Sequence, residues 1–229
     1  LPIVNGNMET LFISGSDYFY PQPAKKDKTN FRVTFQIKVQ TPENLRVVSQ
    51  GEKLKDVVKS GNRTVIWKED KPQEEILLVA DHYHEFSARH GSILLYAYLR
   101  DADNALAERY FEATRSYIGL FSKLISPYPY KKFALVENSR QTGYGMPSFT
   151  LLGSRVIRFP FILHTSYPHE ILHNWLGNGV YINPGSGNWA EGLTTYLADH
   201  LIPEQKGEGK EYRFQELMRY SNYVNETND

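Results

Sequence analysis

No cysteine occurs anywhere in the 229 residues. That excludes a disulfide scaffold and every thiolate metal site, and it leaves the redox compartment open. No run is long and apolar enough to cross a bilayer. The chain opens at Leu1, without Met and without a basic start followed by an apolar stretch. No signal peptide is therefore visible, and the chain reads as processed or excised. Excess charge is missing too: Lys+Arg and Asp+Glu number 26 each. A neutral balance predicts no broad basic field and argues against nucleic acid as the main partner. The mixed-sign runs Lys25-Lys26-Asp27-Lys28 and Lys68-Glu69-Asp70-Lys71 read as solvated turns. There are no internal repeats and no low-complexity tract. Nothing in the sequence sets the oligomeric state or the localisation, which stay unknown.

What is present supports a folded core. Hydrophobic residues make up 41% and aromatics 14% of the chain, and this length suits one large domain or two small ones. Residues 1–30 read as loops and short strands. Phe31 to Val39 alternates apolar and polar, which predicts a half-buried strand with one wet face. Further strands are expected at 45–48, 64–67, 76–80 and 93–99, with turns at 41–44 and 60–62. This spacing predicts an antiparallel β domain over residues 1–102.

The second half, residues 103–229, reads as helical around a small sheet. Asp101 to Asn104 offers caps, and Leu106, Tyr110, Ala113, Tyr117, Phe121 and Leu124 recur at helical steps. Strands are expected at 132–136, 149–152 and 156–159, with a glycine-rich bend at Gly143-Tyr144-Gly145-Met146-Pro147. A helix capped by Thr165 or Ser166, with Pro168 in its first turn, runs to Gly177. After a loop containing Pro184, a second helix spans about 188–201, and a last one 211–223. The fold class is thus α+β.

His169-Glu170-Ile171-Leu172-His173 matches H-E-x-x-H. Residues four apart share a helix face, so both imidazoles can reach one ion. Glu191, in the next helix, offers a third ligand, and zinc in a catalytic site takes three protein ligands with one position left open. Glu170 projects about 100° around the helix from His169, free to act on a water held by the metal. That set predicts metal-assisted amide hydrolysis, with Glu170 as general base. The alternative reading, two surface histidines on an amphipathic helix, has no use for Glu191. Other histidines are discounted. His82 and His84 could share a strand face but lack a further ligand, His164 reads as a loop or cap residue, and His200 as partly exposed. Asn174 and Asn178 are candidates for supporting hydrogen bonds, and Trp175 and Trp189 for core.

H-E-x-x-H-x-W-x-G-N at 169–178 followed by N-W-x-E-G-x-x-x-Y at 188–196 resembles the aminopeptidase N family of zinc gluzincins, peptidase family M-one. Tyr128-Pro129-Tyr130 and Gly145-Met146 extend the resemblance. It implies that 1–102 is the end of the family's amino-terminal β domain. It implies that 103–229 is a thermolysin-like zinc catalytic domain, truncated at its carboxyl end. His169, His173 and Glu191 would then be the zinc ligands, and Glu170 the base. Gly145 and Met146 would lie on the edge strand that takes a peptide substrate by main-chain hydrogen bonds.

Three departures bear on function. Between His173 and Glu191 lie 17 residues, one fewer than the family usually has, and a deletion in the loop 177–187 accommodates it. The family's amine-binding glutamate follows its Gly-x-Met, but Pro147 stands there; Glu137 is a nearby acidic candidate, or a solvated strand end. The family's transition-state tyrosine, in a segment similar to Y-x-K-G-A, is not found before Asp229, and Tyr212, Tyr220 and Tyr223 lack that context. The resemblance therefore implies an aminopeptidase-type hydrolase of which this fragment alone is weak or inactive. An endopeptidase or a peptidase of unusual specificity is the alternative that Pro147 raises. A non-catalytic peptide-binding or scaffold module is the alternative of another class, against which the intact Glu170 argues.

Overall fold

The computed structural model describes residues 3–4, 7–8, 10–22, 31–183 and 185–224. The run Lys25 to Lys28 and Pro184 lie outside them. In chain order the first strands are β1 (Ile3–Val4), β2 (Asn7–Met8), β3 (Leu11–Ile13), β4 (Val33–Pro42), β5 (Arg46–Ser49), β6 (Glu52–Lys59), β7 (Asn62–Gln73), β8 (Leu78–Asp81), β9 (His84–His90) and β10 (Ile93–Leu99). Helix α1 (Asn104–Leu124), β11 (Lys132–Asn138), β12 (Gly143–Met146) and β13 (Phe149–Gly153) follow. The chain then forms α2 (Ser166–Leu172), α3 (Trp189–Thr194), a π-helical turn (Thr195–His200), α4 (Leu201–Gln205) and α5 (Gly209–Tyr223).

The first half builds two antiparallel three-stranded sheets, ordered β3-β8-β5 and β4-β7-β6. Strand β4 alternates half-buried and exposed residues along its whole length, as its period-two pattern requires. The β6–β7 hairpin turns at Ser60 and Gly61, both with positive φ. The run Lys68 to Lys71 is not a turn: it continues β7. Glu69 points inward with its pKa raised, because burial outweighs the Lys71 N–H and the nearby Lys132. Pairing of β7 with both neighbours overrides the local charge pattern there.

The larger sheet has the order β12-β13-β11-β10-β9. It crosses the domain boundary expected at residue 102, because β10 pairs parallel with β11. Strand β11 also pairs parallel with β13, while β9 and β12 are antiparallel edges. Helix α1 supplies the β10-to-β11 crossover that parallel pairing demands. Its Asp103 side chain caps the Leu106 N–H at 2.9 Å. The expected stripe is buried at Leu106, Tyr110, Tyr117 and Phe121, whereas Leu124 is exposed. Thr114 turns inward, its hydroxyl donating to Tyr110 O at 2.6 Å and lying 2.5 Å from the Tyr167 hydroxyl.

Strand β10 shows why this sheet reads as continuously apolar. Leu95, Ala97 and Leu99 pack with α1 and α2 in one core, and Tyr96 and Tyr98 pack with Val47, Val65, Trp67 and Val79 of the first half in another. The sheet is covered on both faces, so neither face is polar. Two other expectations fail for long-range reasons. Residues 156–159 do not form a strand; Val156–Arg158 is a 3-10 turn. That turn carries Arg158 to Asp101 and Glu137. Glu137 is neither solvated nor available to a ligand: it is 1% exposed and accepts from Arg158 Nη1 at 2.7 Å and the Arg100 N–H at 2.8 Å.

Removing Arg158, itself partly exposed, strands the buried Glu137 carboxylate. Arg158→Met should therefore lower the unfolding free energy by about 3 kcal/mol, seen as a reduced urea midpoint. Adding Glu137→Gln should restore much of the loss, since the neutral amide needs no counter-charge.

Candidate metal centre

Helix α2 is held by its buried face. Tyr167, Ile171 and Leu172 are fully buried, and the Tyr167 ring meets Tyr110 edge-on at 4.7 Å. Thr165 sits at the N-cap without a side-chain cap bond, its hydroxyl donating instead to Phe161 O. Pro168 lies in the first turn, where a missing N–H costs nothing. With that face fixed inward, His169, Glu170 and His173 project toward β12 and α3.

The helix stops earlier than its sequence pattern predicts. Regular α-helix ends at Leu172 rather than Gly177. The Asn174 and Trp175 N–H groups bond three residues back, to Ile171 O and Leu172 O. This tightening returns the Leu176 carbonyl to within 3.1 Å of His173 Nδ1. The early end thus orients a ligand. A carbonyl on Nδ1 requires the proton there and leaves Nε2 with its lone pair for a metal.

His169 is oriented in the same way by a residue that the sequence reading passed over. Its Nδ1 lies 2.9 Å from Asp199 Oδ2. Asp199 follows Glu191 by eight residues, which in a regular helix places it about 80° from Glu191 around the axis. The π-helical turn at Thr195–His200 takes less rotation per residue and brings the two acids to one side. A sequence read at helical period carries no signal of that.

The two Nε2 atoms converge on Glu191: His169 Nε2 is 3.3 Å from Oε2 and His173 Nε2 is 3.3 Å from Oε1. One ligand atom from each residue lies within 4.8 Å of the others, and among the described residues this is the group of three or more His, Asp or Glu so placed. Glu191 is half exposed and both imidazoles are mostly covered, so the cluster opens to solvent on one side, as a catalytic site requires. The donor set fits a zinc ion: two imidazoles with their Nδ1 positions anchored, one carboxylate and, among the described residues, no Lys or Arg ion pair to any of them.

Charge is concentrated here. Burial works to lower the His169 pKa, but Asp199, Glu170 and Glu191 outweigh it and the net shift is upward. His173 is lowered, by burial first. Burial, with Glu191 adding repulsion, pushes Glu170 up to about 7 against the pull of His169 and a Gly145 hydrogen bond. Three carboxylates thus surround two imidazoles in partly dry surroundings, an arrangement that a divalent cation relieves.

The expected bend at 143–147 is instead edge strand β12. Its glycines face the metal helix. A Cβ on Gly143 would stand 3.2 Å from Glu170 Oε1, and one on Gly145 would stand 2.9 Å from Glu170 O, Glu170 Oε2 and His173 Cβ. Asn178 Nδ2 donates to Gly145 O at 3.0 Å, and Asn174 Oδ1 accepts the Ser148 N–H at 2.8 Å. Both asparagines therefore tie the β12 segment to the end of α2 rather than contacting the ligands. Tyr144 and Met146 face the other way, along a cavity of about 260 Å³ shared with Thr10, Phe12 and Val79.

The remaining histidines stand apart. His82 and His84 are exposed, His164 Nδ1 is 3.2 Å from the Tyr117 hydroxyl, and His200 lies against Glu204 and Arg213. Trp175 is buried and Trp189 packs at the edge of the same core. Tyr220 and Tyr223 are exposed on α5. Among the described residues no helix is long and apolar enough to cross a membrane.

Neither a protein-family model nor a curated protein matches the sequence. Solved structures do match the fold. The M1 zinc metallopeptidase from Deinococcus radiodurans aligns with a TM-score of 0.66 at 18% identity, covering 83% of this chain and 45% of that one. A glutamate-to-alanine mutant of M1 zinc metallopeptidase from the same organism, bound to a Tyr-Ser-Ala substrate, aligns at 0.67 with 18% identity over the same shares. A two-domain M1 zinc metallopeptidase mutant bound to L-arginine aligns equally well, at 0.67 and 18%. The likeness establishes the α+β fold, and the chain spans under half the length of these structures.

If Asp199 orients His169, Asp199→Asn should weaken zinc binding about 10- to 100-fold. Competition against a chromophoric chelator measures this directly, with His169→Ala as the reference for loss of stoichiometric metal.

Proposed function

We propose that this chain carries the metal centre and catalytic base of a zinc-dependent peptidase. The observation that carries the reading is the meeting of His169, His173 and Glu191 with Glu170 beside a glycine-faced edge strand. The structural neighbours, named as zinc metallopeptidases and in one case bound to a peptide substrate, support it.

His169 Nε2, His173 Nε2 and a Glu191 oxygen would hold the zinc, which when bound polarises a carbonyl and makes water more acidic. Glu170 does the proton work. It takes the proton from the attacking water and passes it to the nitrogen of the leaving amine. Its position against Gly145 keeps the carboxylate in a dry wall facing the ligands, while the Gly145 hydrogen bond aims it. Strand β12 has no partner strand on its outer side among the described residues, so a substrate in extended form would add to it through main-chain hydrogen bonds, sharing or displacing those that Gly145 makes with Glu170 and Asn178. Gly145 and Met146 are the substrate-binding residues in this reading, Gly145 by close backbone approach and Met146 by its side of the adjoining cavity.

Aminopeptidase-type cleavage is the form of the reaction that the sequence resemblance favours. A second reading, cleavage that does not depend on a free amino terminus, draws on two observations. Pro147 stands where a carboxylate would bind the amine. Glu137, the other acid nearby in sequence, is sealed against Arg158.

Glu170→Gln should leave zinc content unchanged and lower kcat by at least about a hundredfold, as loss of a positioned general base does. Intact metal with unchanged cleavage would overturn the assignment. Peptides with free and acetylated amino termini, offered to the full-length protein, separate the two forms: equal cleavage of both would rule out the aminopeptidase form.

A further inference from the structure

Ser148 is the most constrained residue of the β12–β13 turn. It is fully buried, yet its φ of 65° is left-handed, a conformation that turns with proline at the preceding position usually give to Gly or Asn. A non-glycine residue holds such a conformation only when its surroundings over-determine it. Here they do. The Ser148 N–H donates to Asn174 Oδ1 at 2.8 Å, its carbonyl accepts from the Ala134 N–H at 3.1 Å, and its hydroxyl accepts from the Gly51 N–H at 3.0 Å. Lys132 completes the set. Its ammonium group is buried under the turn and donates to both Ser148 O at 3.0 Å and Ser148 Oγ at 2.9 Å.

The rest of the Lys132 surroundings is apolar. Nζ lies 5.2 Å from the ring centres of Trp67 and Phe149. Glu69 is the nearby acid and Lys53 a more distant cation. A fully buried lysine is expensive, and an aliphatic residue of the same length would fill this space without that cost. What the amine adds is a pair of donors aimed at one residue. That residue immediately follows Pro147 and lies three after Gly145, whose backbone packs on Glu170.

We propose that Lys132 is a positioning residue: by clasping Ser148 it holds the Pro147–Ser148 turn, and through it keeps β12 seated against Glu170 and His173. Asn174, next in sequence to His173, clasps the same turn from the metal side. The seat of β12 is thus set jointly by the first-half sheet at Gly51, by β11 at Lys132 and by the end of α2. The consequence for catalysis rests on the peptidase reading; the consequence for β12 does not.

The test uses the full chain loaded with zinc, in wild type, Lys132→Met, Ser148→Gly and the double variant. Amide hydrogen exchange is followed for residues 143–149, with β10 and β11 as internal reference. Lys132→Met should bind zinc as the wild type does while the 143–149 amides exchange about tenfold faster relative to the reference strands. Peptide cleavage should fall in kcat by about tenfold or more, as small misplacements of reacting groups do. Because glycine adopts a left-handed backbone freely, Ser148→Gly added to Lys132→Met should recover most of both losses. A merely structural role predicts a uniform rise in exchange and no recovery of kcat, and either result overturns the proposal. Should Lys132→Met not fold, Ser148→Ala, which removes the hydroxyl acceptor alone, must show the same local loss of protection, and unchanged protection there overturns it. Wild-type protein that cleaves no peptide would sink the peptidase reading, while the exchange comparison would still decide the role of Lys132.

Discussion

The contact between β12 and α2 is the constraint on which the candidate metal centre depends. Side chains on an edge strand would normally hold a helix several ångströms away. Gly143 and Gly145 remove that spacer, so the backbone of β12 lies against Glu170 and His173 with no room for a methyl group at residue 145. The contact gives Glu170 a dry wall and a backbone donor on one side while leaving the other side to the ligands. Among the described residues no strand pairs with the outer side of β12, where the Gly145 N–H is taken by Glu170 and its carbonyl by Asn178. A single close approach therefore sets the environment of the Glu170 carboxyl group.

The electrostatics follow from how that contact is supported. The sheet behind β12 is buried on both faces, by α1 and α2 on one side and by the first-half strands on the other. Its rigidity lets polar residues be spent on orientation. Leu176 O and Asp199 fix the Nδ1 atoms of the two histidines, Asn178 fixes Gly145, and Asn174 fixes Ser148. None of these groups is a ligand, yet each removes a rotational freedom that a loose site would lose on binding an ion. The first-half strands take part as well, since Trp67 and Gly51 form the floor beneath Lys132 and Ser148. A β domain that covers the sheet is thus also a support for the turn beside the active strand.

Much of this was legible in the sequence where the cause is local. Helical period alone places His169, Glu170 and His173 on neighbouring faces, and a capping aspartate with a repeating apolar stripe delimits α1 at the observed ends. Alternation along β4 predicts its wet face. What escaped is caused by distant partners. The charged run at 68–71 continues a strand because β4 and β6 pair on either side of it. Residues 156–159 turn because Arg158 is drawn to Glu137 and Asp101. The end of α2 at Leu172 and the place of Asp199 depend on departures from α-helical geometry, one tighter and one wider. Sequence period assumes a constant rotation per residue, and such sites break it.

Pro147 is where fold and chemistry pull apart. A carboxylate there could neutralise a substrate ammonium group; proline offers neither charge nor an N–H. Two buried acids of the adjoining strands are already committed. Glu137 is buried against Arg158, and Glu69 is buried near Lys132 under the same turn. In the peptidase proposed above, recognition would then fall to main-chain groups of β12 and to whatever fills the cavity beside Tyr144 and Met146. Proline at this point has a structural use as well, since its fixed φ prepares the turn in which Ser148 is held. The residue that brings no charge to this end of β12 is therefore the same one that stiffens the seat of the edge strand.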